Sequence, residues 1–156
     1  MSEPLIEIGG DPDEVSLTLC VYGPDLAPSE ISALTGAVPT DAWARGDLRG
    51  RSQIPASQGT WLLSFRAIAP RTLHDLLVEL SAALRTDLDW KHLNQRFTVR
   101  LVVAIHSDRW NFGPSFAPED LQWLASTHAP LSFDIYAYAG HEDEVDALNA
   151  IVRDGA

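Results

Sequence analysis

The chain has 156 residues, 46% of them hydrophobic and 21% charged, with a mean hydropathy of -0.05, which is the profile of one soluble globular domain. A chain of this size buries about 70% of its unfolded surface without a metal or a cross-link, and its single cysteine, Cys20, excludes an internal disulfide framework and a multi-cysteine zinc site. Twenty-two acidic against 11 basic residues give a formal charge of -11, which argues against nucleic-acid binding, because phosphate contacts need a positive surface.

The acidity gathers at the two ends. Residues 1–14 carry five acids and no base, and residues 141–156 carry five acids against Arg153. We read 1–14 as an acidic N-terminal segment and 15–156 as a single α+β domain. The opening lacks a basic stretch followed by an apolar one, so no secretory leader is expected there. The longest aliphatic run, residues 101–105, is far too short to span a bilayer. A cytoplasmic location is the simplest expectation.

In chain order, residues 15–22 alternate aliphatic and small or polar side chains, as a strand with one buried face does. Pro28 opens a short helix ending near Thr35, with Gly36 just beyond it. Residues 36–59 hold Gly, Pro, Ser and Arg with little periodicity; an irregular stretch of that length signals function or disorder. Residues 60–68 place Trp61, Leu63, Phe65 and Ala67 on one strand face. Thr72 is a fitting N-cap for a helix with Leu73, Leu76, Leu77, Leu80 and Leu84 at helical spacing. Residues 97–106 put Phe97, Val99, Leu101, Val103 and Ile105 on one face of a central strand. Pro118 starts a third helix, with Leu121 and Leu124 expected inward. Residues 131–139 alternate Leu131, Phe133, Ile135 and Ala137 with polar neighbours. A last helix, from about Glu142, carries Val145, Leu148 and Val152 on one stripe.

These elements predict a mainly antiparallel sheet of at least four strands with helices on one face. Leu17, Leu19, Val21, Leu63, Phe65, Val99, Leu101, Val103, Phe133 and Ile135 are expected to share a core with Leu76, Leu80 and Leu124. Residues 26–34 echo residues 116–124, each a proline-initiated helix start, and suggest a duplicated strand–helix–strand–helix unit.

Motifs of catalytic chemistry are few in this sequence. There is no phosphate-cradling glycine loop and no nucleophile elbow, so no catalytic residue, cofactor or metal is assigned. His106 and Asp108, two apart at a strand end, could reach one cation, but further ligands are not indicated. Cys20 has no basic neighbour in sequence to activate it and reads as a packed structural thiol. Three arginines and a tryptophan stand together in residues 43–51, where Trp43, Arg45, Asp47 and Arg49 are candidate binding residues: guanidinium forks suit carboxylates and phosphates, and tryptophan anchors interfaces. The bland reading packs Trp43 on the sheet and pairs the arginines with local acids. Trp110, in a loop with Phe112 and Phe116, is the fifth candidate; loop aromatics either line a recognition surface or sit as satellites of the core.

The segment Val21-Tyr22-Gly23-Pro24-Asp25-Leu26-Ala27-Pro28-Ser29-Glu30-Ile31, followed by Leu34-Thr35-Gly36, Pro39-Thr40, Trp43, Arg45-Gly46-Asp47 and Gly59-Thr60-Trp61-Leu62-Leu63-Ser64, resembles bacterial family 4279 among the domains of unknown function. Residues 131–136 are similar to that family's closing strand. The resemblance implies a small cytosolic bacterial α+β domain with no established catalytic residues, loosely associated with immunity proteins that neutralise toxins. Three functional readings stand open. The first is a binding module for a protein partner with a basic or toxin-like surface. The second is a small-ligand binder or enzyme using Arg45, Asp47, Arg49 and His106 around the 36–59 loop. The third is a domain that pairs with its own copy, a homodimer.

Overall fold

The computed structural model describes residues 10–50, 53–108 and 112–137. Their elements run β1 (Glu14–Gly23), α1 (Pro28–Thr35), β2 (Asp41–Trp43), β3 (Gly59–Ile68), α2 (Leu73–Ala83), α3 (Trp90–Arg96), β4 (Thr98–Ser107), α4 (Pro118–Ser126) and β5 (Leu131–Ala137). The strands form one five-stranded sheet in the order β2-β3-β1-β4-β5. β1 pairs antiparallel with both β3 and β4, and β2 pairs antiparallel with β3. β5 runs parallel to β4, the sense that a crossover through α4 permits and a tight hairpin does not. The fold is therefore a single α+β domain on a mixed sheet.

The two faces of the sheet separate by period-two alternation. On β1, Val15, Leu17, Leu19 and Val21 are fully buried, and in register beside them lie Trp61 and Leu63 of β3 and Val99, Leu101, Val103 and Ile105 of β4. Ile31 of α1, the leucines of α2 and Leu93 of α3 close over that face in one continuous cluster. Phe65 and Leu124 pack against its margin, half-buried. Burying a side chain the size of Leu17 or Leu101 contributes about 2 kcal/mol, so this layer carries most of the cohesion. Trp61, completely buried, also satisfies its indole by donating to Ser32 Oγ at 3.0 Å.

The helix boundaries follow their capping chemistry. Pro28 sits in the first turn of α1, and Gly36 closes it at φ 73°. At the start of α2 the Thr72 N–H donates to the Asp75 carboxylate at 2.8 Å, and that bond holds Asp75 below the usual carboxylate range. α3, which periodicity did not predict, has seven residues and one buried side chain, Leu93; it is started by Asp89, whose carboxylate accepts from the His92 N–H at 2.9 Å.

Three sequence expectations are corrected. Phe133 and Ile135 stand 40% and 59% exposed, although they lie in register with buried Val103 and Ile105. Alternation placed them on the correct face, but β5 is the terminal strand, and cover thins out at a sheet edge. Leu121 is 54% exposed, because the inward stripe of α4 is Asp120, Trp123 and Leu124, continued by Thr127 just past its end. That stripe is rotated by one position so that the buried Asp120 carboxylate can accept from the Ala117 N–H and from His74 Nδ1. The proposed duplication is not borne out: both echo segments start helices at proline, but β3 returns antiparallel to β1 whereas β5 runs parallel to β4. The helix expected from about Glu142 lies outside the described residues.

Candidate functional site

The irregular stretch after Gly36 resolves into a short edge strand and a folded arm. Thr40 leads into β2: its N–H donates to Leu62 O at 2.8 Å and its hydroxyl accepts from the Ser64 N–H at 2.9 Å. β2 then gives only three residues to the sheet, with Trp43 opposite Thr60. Beyond it, residues 44–47 turn sharply. The Asp47 N–H donates to Ala44 O at 3.2 Å, and the Asp47 carboxylate accepts from the Ala44 N–H at 2.8 Å. Gly46 adopts φ 91° there, with open space around it, a backbone state that favours glycine. The arm folds back through Gly46 N–H to Ala56 O, Ala56 N–H to Asp47 O, and an antiparallel bridge between Leu48 and Pro55.

Between β2 and this arm lies an open cleft of about 980 Å³, lined among others by Asp41, Trp43, Asp47, Leu48, Arg49 and Ile54. The Arg49 guanidinium lies over the Trp43 ring, 3.6 Å from its centroid. Arg66, Arg71, Arg85 and Arg96 are all paired with carboxylates. Arg45 and Arg49 make no ion pair among the described residues, contrary to the expectation that the loop arginines pair with local acids; Arg51, the third of them, lies outside the described residues. Leu48 and Ile54 stand 58% and 78% exposed at the cleft.

Of the candidates read from sequence, Trp43, Asp47 and Arg49 thus meet in one cleft. Arg45 is exposed on the turn and does not line the cleft. Trp110 lies outside the described residues. His106, which the ligand-binding reading grouped with the arginines, is opposite Glu14 at the far end of β1, whereas Trp43 lies near the Tyr22 end; those ends are about 26 Å apart at strand rise. The His106 ring instead stacks on Tyr136, with centroids 4.6 Å apart. Beside it, Asp13 accepts from the Ser107 hydroxyl and the Asp108 N–H. Among the described residues no group of three or more His, Cys, Asp or Glu side chains is placed to hold a metal ion.

Sequence reasoning missed Asp41, Leu48 and Ile54. The available signal was the pair of large apolar residues inside an otherwise polar, Gly- and Pro-rich stretch. On the sheet face opposite Leu19 and Val21, in register with Leu62, Cys20 is buried at 4% exposure, and its thiol is pushed up by desolvation. Tyr22 is pushed up to about 12, first by burial and then by its contact with Cys20. Neither group is poised for nucleophilic or acid–base work near neutrality. Among the described aromatics, Trp123 packs edge-on to Trp90 at 6.2 Å, and Phe112 and Phe116 pack against the core margin.

No helix among the described residues is long and apolar enough to cross a membrane. No curated protein and no solved structure matches the chain. A family model described as Domain of unknown function (DUF4279) matches residues 13–138, from the residue before β1 to the one after β5. The chain therefore belongs to the DUF4279 family.

Proposed function

We propose that this chain is a non-enzymatic binding module that uses the cleft between β2 and the arm after it (residues 44–50 and 53–56) to engage a protein partner with a basic surface. An immunity-type protein, which neutralises a toxin-like partner by covering it, is the class that this reading selects. The observation that carries it is the pairing of the Trp43–Arg49 stack with exposed Leu48 and Ile54 around one concave surface. Tryptophan and arginine with adjacent apolar area are the composition of interface hot spots. The formal charge of -11 favours encounter with a basic partner, and the ionisable groups that line the cleft (Asp41, Asp47 and Arg49) form no nucleophile–base pair.

The test is co-expression with the toxin-like product of a neighbouring gene. Rescue of growth by the unaltered chain, lost with Trp43→Ala or Leu48→Asp in a folded protein, is the expected result. Rescue that survives both substitutions refutes this surface, and failure of every neighbouring candidate to bind refutes the reading. The cleft volume is also that of a small-molecule site, which favours a ligand-binding alternative; saturable binding of a small metabolite with no protein partner would select it.

A further inference from the structure

We propose that the Trp43 ring is a receptor for a guanidinium group, an arginine side chain of the partner, and that Arg49 holds that place in the free protein. The proposal rests on the reading of the cleft as a partner-binding surface and specifies which chemistry the partner brings to it.

Three observations converge on that chemistry. The Trp43 ring already carries a guanidinium, that of Arg49, at 3.6 Å from its centroid; a tryptophan face is the best aromatic receptor for a cation. The two acidic groups of the cleft, Asp41 and Asp47, line the same concavity. The Asp47 carboxylate uses Oδ2 to accept from the Ala44 N–H, which fixes its orientation and leaves Oδ1 able to accept from a guanidinium. A ring face in a concavity that also holds two carboxylates suits a planar five-donor fork, which stacks with its face and donates with its edge.

The present occupant holds the place without being locked into it. Arg49 is exposed, borne on the arm rather than on the sheet, and has no carboxylate partner among the described residues. An exposed cation–ring contact is weak enough that displacing Arg49 lowers the apparent affinity of an incoming arginine only about two- to fivefold. The contact keeps the tryptophan face covered until a better-placed arginine arrives.

The experiment titrates the full chain with N-acetylarginine methylamide and follows the Trp43 indole N–H by two-dimensional NMR, with N-acetyllysine methylamide run in parallel. Saturable shifts centred on Trp43 and the arm are expected, weaker for the lysine probe. Arg49→Ala should tighten arginine binding by about two- to fivefold, because it empties the ring. Trp43→Phe should weaken binding and Trp43→Leu abolish it, and Asp41→Asn should weaken it, with unchanged spectra elsewhere establishing that each variant is folded. Weaker or unaltered binding in Arg49→Ala overturns the proposal, as does a response spread over the acidic surface without saturation at Trp43. A protein partner that needs the cleft while the arginine probe fails overturns this inference alone. Probe binding at Trp43 with no protein partner overturns the partner reading and leaves the guanidinium site standing.

Discussion

Replacing Asp120 by alanine tests a buried carboxylate that ties two helix starts together. Asp120 is 4% exposed in the first turn of α4; it accepts from the Ala117 N–H at 2.8 Å and from His74 Nδ1 at 2.9 Å, joining α4 to the first turn of α2. Losing the acceptor at the helix start costs about 1 kcal/mol. Losing the bond to His74 costs about another 1 kcal/mol, and the acid at the positive end of the helix dipole adds about 0.5 kcal/mol. We expect Asp120→Ala to destabilise the fold by about 2–3 kcal/mol, a large share of the 5–15 kcal/mol typical of a domain. In a domain of this size that lowers the melting temperature by about 5–10 °C. Urea denaturation followed by circular dichroism and tryptophan fluorescence measures the difference. Asp120→Asn keeps one carbonyl acceptor and should lose about half as much. His74→Ala leaves the helix start intact and should lose about 1 kcal/mol or less. If Asp120→Ala falls within about 0.5 kcal/mol of the parent, the range of an ordinary surface change, the role assigned to this carboxylate is refuted. It is equally refuted if His74→Ala costs as much as Asp120→Ala.

Four further outcomes follow from the geometry. A Cβ at Gly59 would lie 2.3 Å from the backbone oxygen of Leu26, so Gly59→Ala should destabilise by about 1–3 kcal/mol through overpacking, read as a lower urea midpoint. Gly46→Ala meets no neighbour but must hold φ 91°; a cost of about 1–2 kcal/mol, together with changed NMR shifts at Trp43, is expected. Cys20 should resist Ellman's reagent in the folded protein and react only at the rate of unfolding, since it is buried with its thiol raised. Tyr22 ionises near 12 when folded and near 10 when unfolded. The neutral phenol therefore favours the fold fully below pH 10, and that contribution is lost as pH rises from 10 to 12. A tyrosinate absorbance titration should show a late step that Tyr22→Phe removes.

Strand faces were legible from residue order because backbone geometry forces them: with side chains alternating sides, Leu17, Leu63, Val103 and Ile135 had to share a face. The leucine spacing of α2 and the proline starts of α1 and α4 were readable for the same local reason. The candidate site was legible only by residue type. Trp43, Asp47 and Arg49 stood out as an arginine- and tryptophan-bearing stretch in an acidic chain, but nothing in their order told that Arg45 would be left outside the cleft. His106, similarly polar and similarly placed at a strand end, was grouped with them because sequence carries no distance between strand ends.

What the sequence by itself determined is whatever depends on neighbours in the chain: period, caps, turns, charge and the want of a nucleophile motif. Tertiary structure alone decided the rest. It made β5 a parallel edge strand, so that Phe133 and Ile135 are exposed while their register partners are not. It turned α4 by one residue to bury Asp120 beside His74, and it laid Arg49 on Trp43. Each of these outcomes is set by what another segment, distant in sequence, places against the residue, and burial is a property of that encounter rather than of the residue itself.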